Sequence, residues 1–118
     1  MGTPTFIGRS ESGTTLHTMR ALLNGTVIAE APESDLVKIE GNWYFPPASV
    51  KRDFLSDSST SYICPWKGDC HYYTITVDGQ SYQDRAFAYH DLRPGAVERV
   101  GTDFAGYVAF WKDVTVED

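Results

Sequence analysis

A chain of 118 residues, 42% hydrophobic and 22% charged, has room for one core and the composition of a globular domain rather than of a disordered or fibrous one. Its net charge is −6 and its ten Lys and Arg are scattered, so a phosphate backbone would meet repulsion over most of the surface, which argues against nucleic acid as a partner. No apolar run approaches the roughly 20 residues that a membrane-spanning helix needs.

Aromatic residues reach 14%, and because they favour strands and line ligand pockets they tilt the expected class toward β. Residues 1–16 are rich in Gly, Ser and Thr and carry no hydrophobic segment of a secretory signal; they are expected to form a flexible arm ahead of a single β domain over 17–118, in a cytoplasmic protein. Cys64 and Cys70 are separated by five residues, a spacing that matches no common zinc pattern. Even with His71 and His90 the ligand set is thin, so neither a metal nor a cofactor is expected. A disulfide between them is disfavoured in a reducing compartment.

In chain order, strands at 18–23 and 26–31 flank Asn24-Gly25, a pair suited to a two-residue hairpin because both residues tolerate positive φ. Asn24-Gly25-Thr26 also reads as a glycosylation sequon, but without a signal peptide the turn explains it better. A third strand covers 35–40, and Gly41-Asn42 then turns the chain into Trp43-Tyr44-Phe45. Pro46-Pro47 stops that strand. Pro47 suits the first turn of a helix, and Val50, Phe54 and Leu55 recur at helical spacing, predicting the one helix over 48–55.

A polar loop at 56–59 precedes a strand at 60–64, the Pro65-Trp66-Lys67-Gly68-Asp69 turn and a strand at 70–77. Asp78-Gly79 makes another tight hairpin into a strand at 80–89. Residues 90–101 are expected as a loop, and strands at 107–111 and 114–117 close the chain. The fold class is mainly β: compact antiparallel hairpins with one short helix.

Several segments together resemble a small bacterial family catalogued as a domain of unknown function, number 427, and labelled nucleotidyltransferase-like. They are Leu23-Asn24-Gly25-Thr26-Val27-Ile28-Ala29-Glu30, Tyr44-Phe45-Pro46-Pro47-Ala48-Ser49-Val50, and Cys64-Pro65-Trp66-Lys67-Gly68 followed by Tyr72-Tyr73. Ala86-Phe87-Ala88-Tyr89 and Gly106-Tyr107-Val108-Ala109-Phe110 continue the likeness, in order, from about Met19 to Val116. The departures are Ser49 where the family usually has Asp, Phe87 where it tends to have Trp, and Cys70 where it usually has a small residue such as Ala. Ser49 can still cap a helix, and Cys70 reads as a local substitution. The resemblance implies a β-tent-like fold, similar to methionine-R-sulfoxide reductases and to zinc-anchored ligand-binding domains such as cereblon's. Those relatives use paired CxxC knuckles, which this sequence lacks, so a hydrophobic core would replace the metal.

Two chemistries compete at the Cys-Pro-Trp-Lys-Gly motif. Cys64 with Lys67 lowering its pKa would make a nucleophile, but no histidine stands at an interpretable spacing to serve as its base, His71 being the only nearby candidate; the reading that the chemistry alone favours is a small buried Cys64 and a turn. Lys67 would hold an anionic group as a point charge, or stand solvated in the turn, while Gly68 supplies positive φ. Arg20 matches a position where the family often has Arg, and would add a second cationic contact or pair with a carboxylate such as Glu40. Tyr44, Tyr62, Trp66, Tyr73, Phe87 and Tyr89 are core or ligand walls. Nucleotidyl transfer, which the family label implies, needs closely placed carboxylates for metals; here the pair two apart is Glu33 and Asp35, in a polar turn. The leading expectation is a pocket near Cys64, Trp66, Lys67, Arg20 and Tyr44, with Tyr62, Tyr73 and Tyr89, that binds a small anionic molecule. The alternatives are an enzyme with Cys64 and Lys67 as catalytic residues, a nucleotidyltransferase, and an interaction module whose motif is purely structural.

Overall fold

The computed structural model describes residues 17–118, so the arm expected over 1–16 lies outside the described residues. Three two-residue turns set the strand register, each left-handed at both positions. Asn24-Gly25 (φ 51° and 81°) and Asp78-Gly79 (53° and 79°) stand where the sequence predicts them. The third is Glu40-Gly41 (53° and 85°) rather than Gly41-Asn42. Asn42 is therefore already in its strand, paired with Ile39, and Glu40 sits at a hairpin tip.

The strands are β1 (Thr18–Leu23), β2 (Thr26–Pro32), β3 (Val37–Ile39), β4 (Asn42–Phe45), β5 (Leu55–Cys64), β6 (Gly68–Val77), β7 (Gln80–Leu92), β8 (Val108–Phe110) and β9 (Thr115–Glu117). They form a three-stranded sheet in the order β9-β1-β2 and a six-stranded sheet in the order β3-β4-β8-β7-β6-β5, with every pairing antiparallel. The expected mainly β class of antiparallel hairpins is the observed one. Strand β5 runs straight through the segment expected as a polar loop at 56–59. As an edge strand it has one ladder to satisfy, and an irregularity in register between Asp57 and Ser61 accommodates the serine-rich stretch.

The helix is not where hydrophobic spacing predicts it. Residues 48–55 hold two single-turn 3-10 segments, Pro47–Ser49 and Arg52–Phe54, divided by Val50, which bridges to Ala29 of β2. Ser49 closes the first turn by donating its hydroxyl to the Pro46 carbonyl. Eight residues are too few to nucleate a helix unaided, and a backbone bridge to the neighbouring sheet offers Val50 a better partner. The one α-helix among the described residues, α1 (Ala96–Val100), lies in the segment expected as a loop and is bounded by Gly95 and Gly101, both left-handed.

Strand alternation divides the interior into two layers. Tyr73, Ile75 and Val77 of β6, Ala86 and Ala88 of β7, Phe45, Val108 and Phe110 face the three-stranded sheet and pack on Met19, Ala21, Leu23 and Ile28. Cys70, Phe87, Tyr89, Tyr44 and Ala109 point from the opposite face of the six-stranded sheet and are covered by Ala96 of α1 and by Phe104. Fully burying a side chain such as Phe45 or Phe104 stabilises the fold by about 1.5–3 kcal/mol. Because both faces of the long sheet are covered, a residue on its second face can be buried without belonging to the sandwich between the sheets.

Candidate functional site

The motif hairpin joins β5 to β6 on that second layer. Cys64 pairs with Gly68, leaving Pro65-Trp66-Lys67 as a three-residue loop. Gly68 takes φ 126°, and a Cβ there would lie 2.6 Å from the Asp91 carbonyl oxygen, so glycine is the residue that lets the loop close against the end of β7. The Arg93 N–H donates to the Lys67 carbonyl at 3.0 Å and pins the loop from behind. Held this way, Lys67 turns inward. It is 5% exposed, the one buried polar or charged residue among those described.

The Lys67 ammonium meets three groups. It donates to Glu40 Oε1 at 2.5 Å, and it lies 4.9 Å from the centroid of the Tyr89 ring and 5.3 Å from that of Trp66. Glu40 comes from the β3–β4 turn, and its side chain is 55% exposed, so the pair has one dry partner and one wet one. The hydrogen bond from Lys67 holds the Glu40 carboxyl below its ordinary value; desolvation opposes this, and the charge of Lys67, the Trp66 indole N–H and the charge of Arg99 reinforce it. Arg99 of α1 places its guanidinium 4.3 Å from the Trp66 centroid. The Lys67 ammonium therefore holds the Glu40 carboxylate, beside an indole that also carries the Arg99 guanidinium.

Beneath the ion pair lies a layer of tyrosines and thiols. Tyr44 is wholly buried, packs edge-to-face on Phe87 and Phe104 at 6.0 Å each, and its hydroxyl finds no hydrogen-bond partner. Burial raises its ionisation well above the ordinary phenol value, and the nearby Cys70, Glu40 and Cys64 add to that effect. Burial likewise raises Tyr89, and pushes Tyr72 up to about 12. The Cys70 thiol is pushed up by burial too, against opposing hydrogen bonds from Tyr89 and Tyr72. Cys64 and Cys70 are both free and buried.

Of the residues singled out in the sequence, Cys64, Lys67, Trp66, Tyr44 and Tyr89 come together in this layer. The other three stand elsewhere. Arg20 projects from the three-stranded sheet and pairs at 3.1 Å with Glu30, its direct cross-strand neighbour, while Glu40 belongs to Lys67. Tyr62 is 53% exposed on the edge strand β5. Tyr73 lies in the layer between the sheets, and its hydroxyl shares a 2.7 Å hydrogen bond with His90 Nε2. His71 pairs with Asp57 at 3.1 Å and stacks near Tyr73 rather than serving Cys64. A half-open hollow of about 500 Å³, lined by Ser34, Asp35, Leu36, Val37, Pro46, Thr102 and Tyr107, contains none of the motif residues.

Sequence reasoning missed Arg99, Tyr72 and Cys70 as neighbours of the motif. The alternation of β6 signals the last two, since Cys70 and Tyr72 share a parity and Tyr73 does not. Nothing local signals Arg99, which lies in a segment with no helical pattern.

The order and spacing of these segments match the family model described as a domain of unknown function, DUF427, over residues 13–118. The chain belongs to this family. The two antiparallel sheets and the short helix of this DUF427 domain agree with the β-tent-like fold that the resemblance implied. Among curated proteins none matches the chain. No described helix of the DUF427 domain is long and apolar enough to cross a membrane. Among the described residues no three His, Cys, Asp or Glu side chains converge as metal ligands would.

Proposed function

We propose that this protein binds a small anionic molecule at the Lys67 ammonium, between the Trp66 and Tyr89 rings. The observation that carries the reading is a lysine 5% exposed to solvent whose charge is matched by a carboxylate 55% exposed. A buried charge is a poor way to stabilise a core, because an apolar side chain of similar volume does at least as well; strongly perturbed or desolvated charges concentrate at functional sites. The walls suit an organic anion. Aromatic faces line the ammonium, Arg99 adds positive potential, and the buried Tyr44 hydroxyl is a hydrogen-bond donor without a partner in the same layer.

The cysteines do not carry a catalytic reading, since both sulfurs are buried and the Cys70 thiol is pushed away from ionisation. Nucleotidyl transfer is not favoured either, because the carboxylate beside the ammonium is already bonded to it.

The test is a thermal-shift series with small anions. An anion at 100 times its dissociation constant adds about 2.7 kcal/mol, a rise on the order of 10–20 °C for a domain of this size. Lys67→Met should abolish the response. A response that survives intact in that variant overturns the reading.

A further inference from the structure

We infer that Glu40 is a tethered occupant of the anion site, and that the ligand which displaces it carries a carboxylate. The inference rests on the anion-binding reading above and adds the chemical class of the ligand and the group it competes with. In the structure the site already holds a carboxylate, supplied from within the chain. Glu40 Oε1 accepts from Lys67 Nζ at 2.5 Å, the ammonium lies 5.3 Å from the centroid of the Trp66 ring, and the Arg99 guanidinium is stacked on that indole. A half-walled ammonium that fits the carboxylate of a glutamate fits the carboxylate of a small acid for the same geometric reason.

Three features make Glu40 a removable occupant. Its side chain is 55% exposed while that of Lys67 is 6% exposed, so the acid covers the ammonium from the solvent side. It stands at the tip of the β3–β4 hairpin in a left-handed conformation (φ 53°), and β3 is the outer strand of its sheet. Because Glu40 lies in the turn and its side chain is exposed, the carboxylate can swing into water by side-chain rotation without disturbing the ladder. An incoming carboxylate then takes the Lys67 ammonium, and an attached flat or apolar group has the half-buried Trp66 indole to lie against. The occupant lowers apparent affinity in proportion to the time it is seated: a Glu40 in place about nine-tenths of the time weakens binding about tenfold.

The experiment follows the Trp66 indole N–H resonance of nitrogen-15-labelled full chain during titration with benzoate and, separately, with inorganic phosphate. It compares the wild type with Glu40→Gln. The expected result is benzoate binding about tenfold tighter in Glu40→Gln than in the wild type, with phosphate binding more weakly than benzoate in both proteins. Equal benzoate affinity in the two proteins overturns the tethered-occupant inference and leaves anion binding standing. Phosphate binding as tightly as benzoate in Glu40→Gln overturns the carboxylate class alone. No response to either anion in either protein overturns both this inference and the function it rests on. If Glu40→Gln does not fold, Glu40→Asp decides: withdrawing the carboxylate by one methylene should tighten benzoate binding severalfold, and unchanged affinity overturns the inference.

Discussion

Replacing Glu40 with Gln removes one charge and almost no volume, yet the ammonium it leaves behind is buried. Unit charges about 4 Å apart attract by about 4 kcal/mol at an effective dielectric near 20. Water on the Glu40 side, where the side chain is 55% exposed, screens this toward the ~0–1 kcal/mol of surface pairs. The Lys67 side, 6% exposed, draws it toward the ~3–5 kcal/mol lost when one member of a buried pair is deleted. The Gln amide oxygen still accepts a hydrogen bond, and the Trp66 and Tyr89 faces still hold the ammonium at about 0.5–1 kcal/mol each. The expected net loss for Glu40→Gln is about 2 kcal/mol. Lys67→Met behaves differently, because it deletes the buried charge, keeps the aliphatic stem and frees Glu40 to hydrate. Its expected effect is under about 1 kcal/mol in either direction. The double variant should track Lys67→Met alone, a coupling of about 2 kcal/mol. Urea unfolding at neutral pH with matched m-values measures all four proteins. If Lys67→Met costs as much as Glu40→Gln, or if the two effects simply add, the argument from unequal burial is wrong.

The same pair has an acid limit. Lys67 holds the Glu40 carboxyl below its ordinary value of 4.5, so the stability it contributes is complete above that value and fades as pH falls through the lower folded one. Wild type and Glu40→Gln should differ at neutral pH and converge in acid; a gap that persists unchanged at the lowest pH where both fold refutes the assignment. At the alkaline end, burial raises Tyr44, Tyr72 and Tyr89, so the stability these phenols contribute is complete below their ordinary value of 10. It is lost as pH rises through about 12 for Tyr72, and a phenolate absorbance titration should show ionisation coinciding with unfolding rather than preceding it. Cys64 and Cys70 are 6% and 2% exposed and should resist iodoacetamide until denaturant is added. Rapid alkylation of Cys64 in the native protein would instead revive a nucleophilic role. Gly68→Ala places a Cβ 2.6 Å from a backbone oxygen at φ 126°, and an expected loss of at least about 2 kcal/mol should appear as a melting temperature lower by roughly 10 °C.

Turn chemistry was the most legible part of this chain. Asn24-Gly25 and Asp78-Gly79 each read as a two-residue hairpin because few residue pairs tolerate two left-handed positions, and both are found. The third hairpin turns one residue earlier than Gly41-Asn42 suggests, because Glu40 is an unusual occupant of such a position, and that single step moves Glu40 from a strand to a tip. Helix placement failed where local spacing was set against tertiary partners. Val50 was taken by a bridge to Ala29, whereas Ala96 was buried under Tyr44 and its neighbours despite lying in a segment with little pattern.

The sequence by itself determined the class of fold, the family, most strand positions and the loop that carries Lys67, because these follow from residue alternation and turn geometry within a few neighbours. Which way Lys67 points was decided only in three dimensions. A lysine in a turn belongs in water unless something distant compensates its charge, and here the compensation comes from Glu40, 27 residues earlier, and from the ring of Tyr89 on another strand. The same physics parted the expected site residues. Alternation assigns each to one of two sheet faces, and only the packing of α1 and Phe104 over the second face made that side a buried layer holding Tyr44, Cys64 and Tyr89, with Tyr73 on the other.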